Sequence, residues 1–256
     1  MSSKFQDITS KIIILSAHTD DVPLSLGGCL LGKLFKAQPT VIVVFSITNY
    51  IIGYDGSQSE QEVTRLRIKE ENNAGRVANY KVKFLDFKDA FCRPNYSKYI
   101  SLFQDNPIIE DPIYPIVKKE LLKILVNHEG LICSPLSIGN HVDHKILTNI
   151  IKDLLLEKPE LPILFYEDLP YADYIPYSKQ EKIIQELNKI TQLQPYFFTK
   201  FKINEKIKLL KIYQSQLDQK QLDMVFDYWD SIGKGERIWL TKAAYKLLYN
   251  TDINKW

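Results

Sequence analysis

Cysteine is scarce in this sequence, and long runs of apolar residues are missing. The three cysteines, Cys29, Cys92 and Cys133, are an odd number without the spacing of a disulfide framework. No apolar segment approaches the roughly 20 residues that a membrane-spanning helix needs. The first residues hold only one short apolar run, at 12–15, and no small-residue cleavage site of a secretory signal. We therefore expect a soluble, cytoplasmic protein with no membrane span.

An excess of charge of either sign is also missing. The chain has 33 basic and 31 acidic residues, for a formal net charge of +2. This balance does not indicate a nucleic acid as a partner. The sequence has neither a G-x-G-x-x-G nor a Walker pattern, and the pair Gly27-Gly28 alone is weak support for a phosphate site.

Internal repeats, low-complexity tracts and long linkers are absent as well, so a single domain over residues 1–256 is predicted. A chain of this length can bury a large core, and its hydrophobic fraction of 45% is ordinary for a globular protein. We place the core at about residues 11–170 and a C-terminal extension at about residues 171–256. A homo-oligomer remains possible.

Short apolar runs alternate with amphipathic segments along the first two thirds of the chain. Runs rich in β-branched residues predict strands buried on both faces, and helical apolar spacing predicts the segments between them. This alternation is typical of a Rossmann-like, three-layer α/β/α fold with a mostly parallel sheet. The predicted strands cover residues 11–17, 40–47, 81–85, 131–134 and 163–166, and the predicted helices cover residues 27–37, 60–79, 112–127 and 141–157.

The last third of the chain has a different pattern. Helical spacing over residues 178–193 and 204–219 dominates, with one aromatic strand candidate at 196–201. We therefore predict a helical extension packed on the same domain. Earlier in the chain, the loop over residues 48–59 is too long for a simple connection, and loops of this length tend to be functional.

Two clusters of ionisable residues follow the first and fourth predicted strands. Ligands of open α/β sheets bind at the carboxyl ends of strands, where both clusters would lie. The simpler alternative is that the aspartates cap helices. However, the chain has only four histidines, and three of them lie in these clusters. The six residues are His18, Asp20, Asp21, His141, Asp143 and His144.

Zinc suits this set of side chains. Imidazole and carboxylate groups bind Zn²⁺, and a catalytic site keeps three protein ligands with an open position for water. No cysteine lies near either cluster, which argues against a structural thiolate site. The residues alone predict one mononuclear site with two histidines and one aspartate. The remaining carboxylate and histidine would supply a base for the water and a cation for the developing oxyanion.

The sequence resembles the PIG-L/LmbE-like family of zinc-dependent N-acetylglucosaminyl deacetylases. The stretch "AHTDD" followed by "GG", with "HVDH" about 120 positions later, resembles the family motifs AHPDD and HxDH. The stretches "RLRIKEENNAGRVAN", "LDFKDA", "PLSIGNHVDH", "YEDLPYA" and "YQSQ" also agree in order, so the resemblance covers about residues 11–220. It implies removal of the N-acetyl group from an N-acetylglucosamine-type sugar or glycoconjugate, with release of acetate and a free amine.

The resemblance also implies the metal centre. His18, Asp21 and His144 would be the metal ligands. One Zn²⁺ per chain is expected, although another divalent metal is possible. The substrate would be a small N-acetylated molecule.

The same resemblance implies three catalytic residues. Asp20 would be the general base for the attacking water. His141 would be a protonated group that stabilises the tetrahedral oxyanion, and Asp143 would set its charge and orientation.

Two positions depart from the family pattern. Thr19 stands where the family usually has proline, and Val22 stands where many members have glutamate. Proline stiffens a loop by fixing its own φ and restricting the preceding residue. We therefore expect a softer loop at Thr19, and substrate choice is the property that these two departures affect most.

Five residues are candidates for substrate contacts. Arg67 could hold a sugar hydroxyl or a phosphate, or it could pair with Glu71 on a solvated helix face. Asp89 could accept a sugar hydroxyl or simply be a turn residue. The remaining candidates are Asn49 and Tyr50, in a loop with Tyr54 that could close over the pocket, and Tyr166.

Three other functions are compatible with parts of the sequence. A zinc amidase of the same family would cleave a different amide, as conjugate amidases do. A nucleotide-binding α/β protein would use the Gly27-Gly28 turn. A non-catalytic sugar-binding module is less favoured, because the whole set of metal and base residues is present.

Overall fold

A computed structural model describes residues 11–53, 57–96, 102, 103 and 108–249. Within these ranges the strands are β1 (Ile12–Ser16), β2 (Thr40–Val43), β3 (Lys81–Phe84), β4 (Leu131–Pro135), β5 (Ile163–Tyr166), β6 (Leu193–Phe198) and β7 (Glu236–Thr241). The α-helices are α1 (Asp21–Leu31), α2 (Glu60–Ala78), α3 (Tyr114–Leu125), α4 (Val142–Glu157), α5 (Tyr171–Tyr174), α6 (Tyr177–Asn188), α7 (Ile203–Leu210), α8 (Gln219–Ser231) and α9 (Lys242–Tyr249).

The strands form one sheet in the order β3-β2-β1-β4-β5-β7-β6. The first five are parallel, and β7 is antiparallel to both of its neighbours. Alternate residues of β1 point to opposite faces. Ile13 and Leu15 belong to one buried core with residues of α3, α4 and α6, while Ile12 and Ile14 belong to another with residues of α1, α2 and α9. The predicted three-layer α/β/α fold with a mostly parallel sheet is confirmed.

The order of the strands reverses at β1. Its parallel neighbours are β2 on one side and β4 on the other. The chain connections therefore run in opposite directions from this point, and a crevice opens outside the carboxyl ends of β1 and β4. Both ionisable clusters follow these two strands.

Helix α1 begins six residues before the predicted helix and ends at Leu31 instead of residue 37. Pro23 and the glycine pair resemble helix breakers, but proline is tolerated in a first helical turn. Gly28 lies inside the helix, and a glycine is needed there because a Cβ would come within 2.4 Å of the Phe201 ring. The backbone N–H groups of Gly28 and Cys29 both donate to the Glu236 carboxylate at 2.7 Å. The glycine pair therefore makes a packing contact inside α1, which accounts for these glycines without a phosphate site.

The C-terminal third contributes two strands to the sheet, where the sequence predicted one. Strand β7 was missed, and β6 lies three residues earlier than the predicted strand at 196–201. Pro195 is compatible with β6 because this strand lies at the edge of the sheet. The predicted helix over residues 204–219 ends at Leu210 as α7, and α8 begins at Gln219.

The structure gives the state of the three cysteines and the character of the helices. Cys29, Cys92 and Cys133 are free thiols. In the part of the chain that the structure describes, no helix is both long enough and apolar enough to cross a bilayer.

Candidate active site

The two predicted clusters meet at the crevice between β1 and β4. His18 follows β1, while His141 and His144 lie at the start of α4. The ring centroid of His18 lies 4.9 Å from that of His141 and 5.3 Å from that of His144. The structure therefore brings together residues that are more than 120 positions apart in the sequence.

Two imidazoles and one carboxylate converge on a common point. His18 Nδ1 lies 3.6 Å from Asp21 Oδ2, and His144 Nε2 lies 3.4 Å from Asp21 Oδ1. His144 Nε2 is buried and has no hydrogen-bond partner among the described residues. A buried nitrogen that faces a carboxylate without a hydrogen bond suits a metal ligand. His18, Asp21 and His144 therefore fit a divalent cation.

The outward-facing nitrogens of both imidazoles bind carboxylates. His18 Nε2 lies 3.0 Å from Asp143 Oδ2, and His144 Nδ1 lies 2.6 Å from Asp168 Oδ1. Metal-ligating histidines almost always bind such a partner through the second ring nitrogen, which fixes the tautomer. Burial opposes a charge on His18, but the hydrogen bonds to Asp143 and Asp21 raise its pKa to about 9. The site thus favours positive charge, which a metal would supply.

Asp168 was not among the predicted site residues. It follows β5 in the stretch "YEDLPYA", and it is 1% exposed. Its second oxygen accepts the backbone N–H of Ile138 at 2.9 Å. The position of an acidic residue after a third parallel strand was the available signal, because such strand ends share one edge of the sheet.

His141 caps α4 and presents one nitrogen to the cavity. Its Nδ1 accepts the backbone N–H of Asp143 at 3.2 Å, which leaves the proton of a neutral ring on Nε2. Burial, followed by the charge of His18, lowers the pKa of His141 well below its usual value. Both observations favour a neutral ring, whereas the sequence predicts a protonated group, and the protonation state of His141 stays a prediction. The Asp143 carboxylate lies against His18 Nε2 while its backbone N–H contacts His141, and its predicted role toward His141 stays a prediction.

Asp20 has a strained backbone. Its φ of 104° lies in the region that favours glycine, and its side chain makes no helix-capping hydrogen bond. The capping alternative therefore does not account for this residue. Its backbone N–H donates to Glu71 Oε2 at 3.2 Å. Burial, reinforced by the charge of Asp21, raises the pKa of Asp20 to about 8, which suits a general base near neutral pH.

Arg67 is buried behind the turn that carries Asp20. Its Nε donates to Thr19 Oγ1 at 3.0 Å, and its Nη2 donates to the Thr19 carbonyl at 3.3 Å. The solvated-face alternative is wrong, because Arg67 is 4% exposed and Glu71 instead binds Asp20, Tyr80 and Tyr213. Arg67 also lines the cavity, so a substrate contact stays a prediction.

Thr19 uses its hydroxyl as proline could not. The Oγ1 atom accepts from Arg67 and donates to Gln216 Oε1 at 3.1 Å. Gln216 in turn donates to Glu70 at 3.3 Å. This buried network joins the turn after β1 to α2 and to the segment before α8.

We expect Thr19→Val to destabilise the protein by about 1–3 kcal/mol, because two buried polar groups lose a partner. The kcat should fall as well, since the turn that holds Asp20 loosens. Thr19→Ser, which keeps the hydroxyl, is the matched control and should lose less than half as much. Urea unfolding and steady-state kinetics measure both effects. Equal losses in the two variants would assign the effect to the methyl group.

The other predicted substrate contacts divide into three groups. Asp89 and Tyr50 line the cavity, although Asp89 Oδ1 also caps a turn by accepting the Cys92 N–H at 3.1 Å. Asn49 is not among the cavity-lining residues. Tyr166 is fully buried and donates to the Leu15 carbonyl at 2.8 Å, so its prediction as a substrate contact is wrong. Tyr54 lies outside the described residues.

A cavity of about 570 Å³ opens over His18, Asp20, Asp21 and His141. Its floor is polar, and its walls are mainly aromatic and aliphatic. Pockets of this size and composition suit small organic ligands. The wall residues are Tyr50, Phe91, Leu102, Phe103, Leu169, Tyr171, Tyr174, Leu217 and Met224.

The fold and the site define a three-layer α/β protein with a histidine–aspartate cluster at the reversal of strand order. The family model described as PIG-L, GlcNAc-PI de-N-acetylase, matches residues 13–155, more than half of the chain. The chain therefore belongs to this family, and the resemblance is confirmed. Membership makes the protein a hydrolase of the N-deacetylase class.

Individual relatives agree with this assignment. The chain is 24% identical over 216 residues to 2'-N-acetylparomamine deacetylase of Streptomyces fradiae, covering 82% of this chain and 75% of that protein. It shares the fold of a deacetylase–bog complex from the teicoplanin biosynthesis pathway, with a TM-score of 0.68, 18% identity and coverage of 90% and 97%. It also shares the fold of N,N'-diacetylchitobiose deacetylase from Pyrococcus horikoshii, with a TM-score of 0.61, 16% identity and coverage of 92% and 85%.

Proposed function

We propose that this protein uses a divalent metal, with zinc as the first candidate, to remove the acetyl group from an N-acetylglucosamine-type unit. The observation that carries the proposal is the convergence of His18 Nδ1 and the buried His144 Nε2 on the Asp21 carboxylate, next to the cavity that His18 and Asp21 line. When bound there, the metal would act as a Lewis acid toward the amide carbonyl and lower the pKa of water.

The residues around these ligands have separate roles in the proposal. Asp20 lines the cavity, where it accepts the proton of the attacking water and returns it to the departing amine. His141 donates its Nε2–H to the oxygen on which negative charge develops. A neutral imidazole is sufficient for this, because the Asp143 N–H holds the ring in the required tautomer.

The substrate class is supported by the family and by the walls of the cavity. The matching family model names a GlcNAc-PI de-N-acetylase, and the relative from Streptomyces fradiae is a deacetylase of an N-acetylated amino sugar. Sugar rings stack on aromatic side chains, and the Tyr50 and Phe91 rings lie 5.0 Å apart on one wall. A small N-acetylated glycoconjugate in the cytoplasm is therefore the proposed substrate.

A zinc amidase that cleaves a different amide is the second candidate, because the same residues would serve it. Acetate release from a panel of N-acetylated sugars, measured beside matched N-acyl amides, separates the two. We expect acetate release from at least one N-acetylated sugar, loss of this activity after chelation, and recovery on addition of Zn²⁺ or another divalent metal. Release of a larger acid alone would favour the amidase, and activity that survives complete chelation would contradict both.

A further inference from the structure

A largely enclosed arginine, Arg93, lies directly behind the proposed metal site, and its side chain is 10% exposed. Arg93 Nη1 forms an ion pair with Asp143 Oδ1 at 2.7 Å, and the Asp143 side chain is completely buried. Neither the two histidine motifs nor the comparisons assign Arg93 a role. Because an unpaired carboxylate inside a protein is costly in free energy, Asp143 requires the positive charge of Arg93.

Asp143 connects Arg93 to His18, one of the proposed metal ligands. Its Oδ2 atom lies 3.0 Å from His18 Nε2 and also accepts the Ala90 N–H at 2.9 Å. A carboxylate at Nε2 holds the imidazole proton there, so the lone pair of Nδ1 is directed toward Asp21. The orientation and tautomer of His18 thus depend on where the Asp143 carboxylate is held.

Arg93 is itself fixed in place from several sides. Its guanidinium carbon lies 5.3 Å from the centre of the Phe45 ring and 4.9 Å from that of Tyr96. Its Nη2 contacts Asp111 Oδ2 at 3.5 Å, and the same oxygen accepts the Tyr96 hydroxyl at 2.6 Å. This packing makes Arg93 a rigid support, since planar guanidinium groups stack on rings and pair with two carboxylates at once.

We propose that Arg93 is a positioning residue of the metal site, which acts through Asp143 on the orientation of His18. The inference rests on the proposed function, because it requires that His18 bind a metal. Without Arg93, the Asp143 oxygen facing it loses its charged partner and the carboxylate turns away from His18 Nε2. The Nδ1 lone pair is then no longer held toward Asp21, and metal affinity falls.

The test measures metal binding and needs no substrate. The metal-free full chain is titrated with Zn²⁺ in competition with a chromophoric chelator. The variants Arg93→Gln, Arg93→Lys and Asp143→Asn are titrated in the same way. The visible spectrum of bound Co²⁺ is recorded for each protein. We expect Arg93→Gln and Asp143→Asn to weaken Zn²⁺ binding about 10–100-fold and to change the Co²⁺ spectrum. Arg93→Lys keeps a charge but cannot bind both carboxylates, so its loss should be smaller but at least threefold.

A matched control is another cation–carboxylate pair inside the protein, Lys206 with Glu236 at 2.7 Å. Lys206→Gln should lower stability without changing Zn²⁺ affinity or the Co²⁺ spectrum. If folded Arg93→Gln binds Zn²⁺ as the wild type does, the inference is overturned. Should Arg93→Gln not fold, Arg93→Lys decides in the same way. A wild-type chain that binds no Zn²⁺, or whose binding survives His144→Ala, would instead contradict the proposed metal site itself.

Discussion

We expect Asp20→Asn to keep the metal and to lose about 10²–10⁴-fold in kcat, the range that a general base contributes. Asparagine has the shape of aspartate but cannot accept the proton of the attacking water. The proposed ligand atoms belong to His18, Asp21 and His144, so the amide at position 20 leaves them intact. Metal content after dialysis and steady-state acetate release measure the two effects separately.

Asp173→Asn is the matched control for this prediction. Asp173 also lines the cavity, but it lies on α5, and the charge that acts on its carboxyl is that of Asp227. Its substitution should leave kcat within about threefold, well below the effect of losing a general base. If Asp20→Asn loses the metal instead, the roles of Asp20 and Asp21 are exchanged.

The second large expected effect is a difference in role between His141 and His144, which lie three positions apart: one variant should lose the metal and the other should lose activity. We expect His144→Ala to weaken metal binding by more than about 100-fold, beyond the range that supporting residues account for. His141→Ala should keep the metal and lose about 10²–10³-fold in kcat, the typical effect of removing one donor to an oxyanion. Chelator competition and single-turnover rates give the two quantities.

The alternative to this division is a site with three histidines. Ligand atoms of His18, His141 and His144 lie within 4.8 Å of one another, so geometry alone permits this set. If His141→Ala loses as much metal affinity as His144→Ala, the three-histidine set is the correct one. Asp21→Asn should then keep the metal, whereas in our proposal it loses it.

The strand ends and the two histidine clusters could be predicted from the sequence, because apolar runs mark buried strands and parallel strands end at one edge. The hydrogen-bond partners of the histidines could not. The sequence places Asp143 beside His144, but its carboxylate binds His18 at a separation of 125 positions. Only the packing of the sheet shows which carboxylate meets which ring.

The errors in the fold have a similar origin. The helix predicted from residue 27 begins at Asp21, since proline is tolerated in the first helical turn, and Phe201 and Lys206 pack against the glycines within it. Tyr166 lies in the stretch "YEDLPYA" that resembles the family, but its hydroxyl donates a hydrogen bond to the Leu15 carbonyl inside the protein. In both cases a distant part of the chain overrides the local pattern.

The position of β7 between β5 and β6 has a consequence for synthesis on the ribosome. Strand β6 is made some 40 residues before β7, the strand with which it pairs in the sheet. At elongation rates of about 5–20 residues per second, the backbone groups of β6 that later bond to β7 stay unpaired for seconds. Glu236, which opens β7, also supplies the acceptor for Gly28 and Cys29. The contact between α1 and Glu236 can therefore form only after β7 has been made.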